Sequence, residues 1–188
     1  MEYLDPRDTI PHEDVVLNKV KDAIISVKET KSIMPPIVDL RTLIVIDGHH
    51  RREAVISMNF RKIPFYLVDY SKDEIIVGKW FRKVLHSKLS SLFVSSLKRV
   101  GDGDLCMRFQ SISICSRNVY SLYWRLEWLE ERLRGLGAKV DRDPVSGEEP
   151  PELTKAEIIR VAKTGLRFPP KTTRHLYNFI IPKLRVKL

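Results

Sequence analysis

The sequence predicts a mixed α/β (α+β) chain, and three observations carry that prediction. Short apolar runs rich in β-branched residues, "IVDL", "TLIVID" and "IPFYLV", alternate with stretches of helical period in the first half. In the second half, "DLCMRFQ" and "SISICS" alternate like a hairpin and precede a long leucine-striped helix. The chain has 188 residues, 43% hydrophobic and 30% charged, which suits one domain, or one domain with a lobe, around a real core.

Taken in order, "DPRDTIPHEDVV" is turn-rich, with Pro6 and Pro11, and delivers Glu13 to the start of a helix. In "EDVVLNKVKDAIISVKET", Val15, Val16, Val20, Ile24 and Val27 recur at helical spacing. "IMPPIVDL" is a proline-edged strand and "TLIVID" a buried one. Gly48 then turns the chain into a helix starting near His49. "IPFYLVDY" is the next strand, and "SKDEIIVGKWFRKVLHSKL" is expected to form a helix carrying Trp80. After the hairpin, Leu122, Leu126, Leu129, Leu133 and Leu136 make one stripe, which Gly135 and Gly137 end. "DRDPVSGEEPPE" is a polar loop, and Thr154 with Glu157 is a capping box opening the last helix. Cys106 and Cys115 are too few for a disulfide framework, and their spacing suits two buried strand positions. The domain boundary expected from this order separates 1–98 from 99–188.

The net charge of +9, from 33 basic and 24 acidic residues, suits phosphate-bearing partners, nucleotide or nucleic acid, and equally a basic proteome or a charge-rich thermophile surface. The sequence shows no signal peptide and no apolar run near the roughly 18 residues of a membrane span, so a cytoplasmic protein without membrane attachment is expected.

The chemistry concentrates at "VIDGHHRREAV". A strand, a glycine and a helix N-terminus present unpaired N–H groups and a positive dipole end, which bind anions and phosphate above all. Gly48 permits close backbone approach. Arg51 adds a charged and bidentate donor. Asp47, at the carboxyl end of its strand, is placed to meet a magnesium ion or a hydroxyl. Each residue has a plainer reading, as a glycine turn, a cap or a solvated basic run. Their density after a buried strand favours function.

"VIDGHHRREAV" resembles the phosphate-binding motif of the ParB/sulfiredoxin-like fold. With "PHE" at Pro11–Glu13, Trp80, and "FPPKTTRH" at Phe168–His175, the chain resembles archaeal free L-serine kinases of that superfamily. The resemblance implies a ParB/sulfiredoxin-like nucleotide-binding core over 1–98. The added C-terminal α/β lobe would then send its tail back to complete the active site. It implies phosphoryl transfer from ATP or ADP to the hydroxyl of L-serine, giving O-phospho-L-serine for cysteine synthesis, with Mg2+. Carried over, Glu13 is the catalytic base and Asp47 lies by the transferred phosphate or its magnesium, directly or through water. Gly48, His49, His50 and Arg51 cradle the donor phosphates. Trp80 walls the serine pocket, and Thr172, Thr173, Arg174 and His175 bind substrate. A monomer that binds no nucleic acid is expected. Relatives differ in donor, and the loop "SVKETKSIMPP" lacks the glycines of the ADP-using type.

Three other classes compete, one of them a nuclease suggested by the acid and two histidines of the corner, whose spacing has no firm metal signature. A ParB-type nucleotide-dependent DNA-binding protein would explain the charge, but no helix-turn-helix is legible after Lys98. A sulfiredoxin needs a cysteine where this chain has His49.

Overall fold

The computed structural model describes residues 1–188. Two compact units form, one from Met1–Val77, Thr154–Pro170 and His175–Leu188, the other from Gly78–Leu153 and Lys171–Arg174. In chain order, the opening segment of the first unit ends at Val77.

The first unit opens with β1 (Glu2–Leu4) and α1 (Leu17–Thr30), followed by β2 (Ser32–Ile33), β3 (Ile37–Asp39), β4 (Val45–Asp47), α2 (His49–Ser57), β5 (Ile63–Val68) and β6 (Ile75–Gly78). Four strands make a sheet in the order β1-β5-β3-β4. β3 runs parallel to β5, while β1–β5 and β3–β4 are antiparallel. Val38, Val45, Val55, Ile63 and Phe65 are fully buried on it, joined by Val27 and Ile33. The helix expected to begin near Glu13 begins at Leu17, with Val16 as an N-cap that offers no side chain. Residues 9–16 are therefore an extended strap. Its Ile10 accepts from Val45 N–H and donates to Leu43 O, both at 2.9 Å.

"SKDEIIVGKWFRKVLHSKL" is not a helix. It forms β6 and, in the second unit, β7 (Phe81–Leu85), with Trp80 in the turn between them. Ile75, Ile76, Val77, Val84 and Leu85 fit a strand as well as a helix, and Gly78 weakens the helix. The deciding partners come from far along the chain. β7 pairs antiparallel with β11 (Lys139–Asp143), whose last three residues open the stretch expected to be loop, and β6 pairs with β12 (Arg174–Tyr177).

The second unit continues with α3 (Lys88–Ser96), β8 (Arg99–Val100), β9 (Leu105–Phe109), β10 (Ile112–Ser116) and α4 (Val119–Gly135). Ser87 opens α3 with a capping box. The β9–β10 hairpin forms as expected, with β8 added parallel to β10. The α4 stripe Leu122, Leu126, Leu129 and Leu133 is fully buried against Phe109, Ile112 and Ile114. Buried Arg82 donates to buried Glu130, which also pairs with Arg142 and Arg134. Cys106 and Cys115 sit opposite each other and form a disulfide, with Cys106 exposed, so they are not two free buried cysteines.

Back in the first unit, α5 (Lys155–Lys163) carries the expected Thr154–Glu157 capping box. The tail returns to this unit, where β13 (Val186–Lys187) pairs with β2. Arg185 donates to Ser32 O and Thr30 Oγ1, both at 2.7 Å, and Lys31 takes a left-handed φ of 51°. These contacts order the glycine-free loop 28–36.

Candidate functional site

The corner is built as the sequence implies. β4 ends at Asp47, Gly48 adopts φ 94° as N-cap, and α2 begins at His49 with no side-chain cap. A Cβ at Gly48 would come within 2.9 Å of Arg51 and of Pro36, so the bare backbone here is a steric requirement. The uncapped first turn keeps its anion-binding character.

The side chains of the corner do something the sequence did not disclose. They stitch the strap to α2. The His12 amide donates to His49 Nε2 at 3.3 Å, and the Val16 amide donates to His50 Nε2 at 3.0 Å. Buried Arg52 donates to Thr9 Oγ1 at 2.8 Å and to Thr9 O at 2.9 Å. His49 and His50 thus turn their rings to the strap, and any phosphate cradle is made of their backbone. On the strap's other side, Phe168 N–H donates to His12 O and Asp14 N–H to Phe168 O, both at 2.8 Å. Glu13, buried and paired in a parallel bridge with Phe168, is held from both flanks. If Glu13 is the catalytic base that the resemblance implies, removing one stitch costs rate more than stability. His50→Phe leaves the Val16 amide to water and should lower turnover by about fivefold, the worth of one ordinary hydrogen bond, with little change in Tm. Unchanged kinetics would detach His50 from the strap's role.

Beneath the strap lies a group of imidazoles. The His12 and His49 rings are 4.5 Å apart, and His12 and His175 are 5.7 Å apart. His12 Nδ1 donates to Val45 O at 2.7 Å, which leaves Nε2 as the unprotonated nitrogen, 3.9 Å from Glu13 Oε1. Burial above all, then the neighbouring His175, pushes His12 down to about 3. Burial likewise holds His49 well below the ordinary histidine value, with His12 and His175 adding to it. His175 is pushed down to about 4, again by burial, against a bond to the Ile46 backbone. Its Nε2 meets the Tyr70 hydroxyl at 2.7 Å. His175 was expected to bind substrate. Its ring is instead committed to Ile46 and Tyr70, because the chain enters the first unit at this residue.

Arg51, which the resemblance assigns to the donor phosphates, is also a brace. Its guanidinium donates to Met34 O at 2.8 Å and Pro35 O at 3.1 Å, and to Asp47 Oδ2 at 2.5 Å. It braces loop 28–36 while leaving its charge beside a cavity of about 360 Å³. Met34, Pro35, Ile37, Tyr66, Tyr177 and Phe179 give that cavity apolar and aromatic walls, and Asp47, Arg51 and Lys183 charge it. The sequence reading missed Tyr66, hidden in a strand, and Tyr177 and Phe179, whose only visible signal was an aromatic tail after a basic run.

In the second unit, Trp80 Nε1 donates to Thr173 O at 3.0 Å, and the Arg174 guanidinium lies 5.4 Å from the Trp80 ring centre. Arg174 also donates to Pro144 O at 3.3 Å. Thr172 is buried. Trp80, Thr173 and Arg174 thus form one cluster.

No cluster of three His, Cys, Asp or Glu side chains is arranged for a metal. Asp47, whose side chain is 57% exposed, offers a single carboxylate. That suits magnesium, which binds through one or two carboxylates plus substrate phosphates rather than in a protein cage. No helix is long and apolar enough to cross a membrane.

No protein-family model matches the chain. A ParB-like protein from Sulfolobus acidocaldarius is 36% identical over 191 residues, covering 100% of this chain and 96% of that one. An ATP-dependent L-serine kinase from Staphylothermus marinus is 25% identical, covering 94% of this chain and 85% of its own length. An ADP-dependent L-serine kinase from Thermococcus kodakarensis is 24% identical, covering 95% and 87%. Among solved structures, a Glu-to-Ala variant of a free serine kinase in complex with ADP superposes with a TM-score of 0.78 at 17% identity, covering 100% of this chain and 92% of that one. The chain belongs to the ParB-like protein family, and archaeal L-serine kinases are its more distant relatives over nearly the whole length.

Proposed function

We propose that the protein is a free L-serine kinase that transfers a phosphoryl group from an adenine nucleotide to the serine hydroxyl, releasing O-phospho-L-serine for cysteine synthesis. The observation that carries this reading is Glu13, a buried carboxylate pinned on a stitched strap beside an uncapped strand–glycine–helix corner. Phosphoryl transfer asks the protein for positioned phosphates, charge neutralisation and an oriented hydroxyl, and little covalent work. The α2 amides and Gly48 would take the donor phosphates, and the adjoining apolar cavity would take the adenosine. Asp47 would hold magnesium, whose charge would offset that of the phosphates. By the resemblance alone, Arg174 is the residue assigned to the serine carboxylate, which a planar guanidinium matches bidentately. Glu13 would accept the hydroxyl proton. Once protonated it could donate to His12 Nε2, after closing part of their 3.9 Å separation.

Incubation with L-serine and magnesium, with ATP and ADP in parallel, tests this through the appearance of O-phosphoserine. Its absence with both donors would end the kinase reading, and the arm that succeeds names the donor. Arg51→Ala should weaken nucleotide binding by about 1.5–3 kcal/mol, because it removes a charge and loosens Met34–Pro35. Calorimetric titration measures it, and unchanged affinity would place the phosphates elsewhere.

A further inference from the structure

Tyr177 sits on β12 with its ring against Phe179, 5.6 Å between centres. It lines the cavity that Asp47 and Arg51 also line. Its hydroxyl oxygen is buried and makes no hydrogen bond. A buried polar group without a partner destabilises the fold, so its retention calls for a reason. Phenylalanine would fill the same wall without that cost.

The surroundings indicate what the hydroxyl is for. Burial first, then the Asp47 carboxylate, push its ionisation up, and Arg51 pulls the other way. Tyr177 therefore stays protonated and feels the two charges at the corner. A protonated phenol among them is a hydrogen-bond donor waiting for an acceptor, and an anionic oxygen is the acceptor that gains most from it.

We infer that the Tyr177 hydroxyl is a donor-binding group of the cavity, giving a hydrogen bond to an oxygen of the phosphate nearest the nucleoside. This rests on the nucleotide reading above and deepens it. It makes Tyr177 a group that distinguishes a phosphorylated nucleoside from the bare nucleoside. It also predicts opposite effects on stability and on binding, which a packing role alone would not produce.

The test is Tyr177→Phe, titrated calorimetrically with AMP and with adenosine beside the wild-type protein, with the Tm of both ligand-free proteins measured. The variant should bind AMP about tenfold to 100-fold more weakly, the range of a single hydrogen bond to a charged group. Adenosine affinity should not change, and the ligand-free Tm should stay level or rise. Equal AMP affinity in both proteins would overturn the assignment while leaving the nucleotide reading intact. Equal losses for AMP and adenosine would overturn it as well, by moving the hydroxyl's partner to the nucleoside half. A wild-type protein that binds neither ligand would overturn the nucleotide reading, and the assignment with it.

Discussion

Glu13→Gln should lower kcat by at least about 100-fold while leaving nucleotide affinity within about twofold, the loss expected when a general base is removed. The amide keeps the size of the carboxylate and its ability to accept hydrogen bonds, but it cannot take a proton. The backbone contacts that position residue 13 come from its neighbours. His12 N–H, Phe168 N–H, Asp14 N–H and Val16 N–H all engage without the Glu13 side chain. The variant should therefore keep the strap and its Tm. Nucleotide affinity should hold because the proposed phosphate contacts lie at Gly48 and the first turn of α2. A loose, dissociative transition state asks less of the base, which sets the low end of the expected loss. Single-turnover rates and nucleotide titration on the same preparation decide the matter. Near-normal turnover with intact binding would send the search for the base to Asp47, since His49 is held neutral with Nε2 already accepting from the strap.

The corner shows how far residues alone reach. Strand, Gly48 and helix were legible because each rests on local chemistry. The run "LIVID" is apolar, Gly48 needs positive φ, and the helix starts where the apolar period resumes. The excess of ionisable groups there read as ligand chemistry. Much of it is architecture. His49, His50 and Arg52 hold Thr9, His12 and Val16, partners 34 to 43 positions away that no local pattern announces.

The same limit explains the helix expected around Trp80. Ile75, Ile76, Val77, Phe81, Val84 and Leu85 satisfy both periods, and only pairing with β11 and β12 selects strands. The disulfide, by contrast, was within reach. A hairpin turning at Gln110–Ser111 pairs Phe109 with Ile112 and, three positions further out on each strand, Cys106 with Cys115. Taking the hairpin and the cysteines as separate observations hid it. The cavity beside Arg51 was least legible, because Tyr66, Tyr177 and Phe179 meet Met34 and Arg51 only through the sheet and the returning tail.

The protein should lose several kcal/mol of stability between about pH 6.5 and pH 4, and the buried imidazoles under the Glu13 strap should be the cause. His12 at about 3 and His175 at about 4 are neutral in the folded chain throughout most of that interval, and His49 joins them. In the unfolded chain each takes up a proton near pH 6.5. The unfolded state thus binds more protons than the folded one, and linkage requires stability to fall as the pH falls. Above pH 6.5 both states are neutral and the contribution is complete. Each histidine gives a slope of up to about 1.4 kcal/mol per pH unit, so three together reach about 4 kcal/mol per unit at most. Asp5, Asp69 and Asp143, whose carboxyls are held below the ordinary value, add acid sensitivity only below about pH 4, so they stay outside this window. Urea unfolding at half-unit steps from pH 7.5 to pH 4 measures the slope. His12→Asn, which cannot charge, should flatten part of it even though the variant starts from a lower stability. A flat profile from pH 6.5 to pH 5 in the wild-type protein would mean that the imidazoles are not buried as neutral rings. The Glu13 strap would then rest on something other than the edge-on His12–His49–His175 cluster.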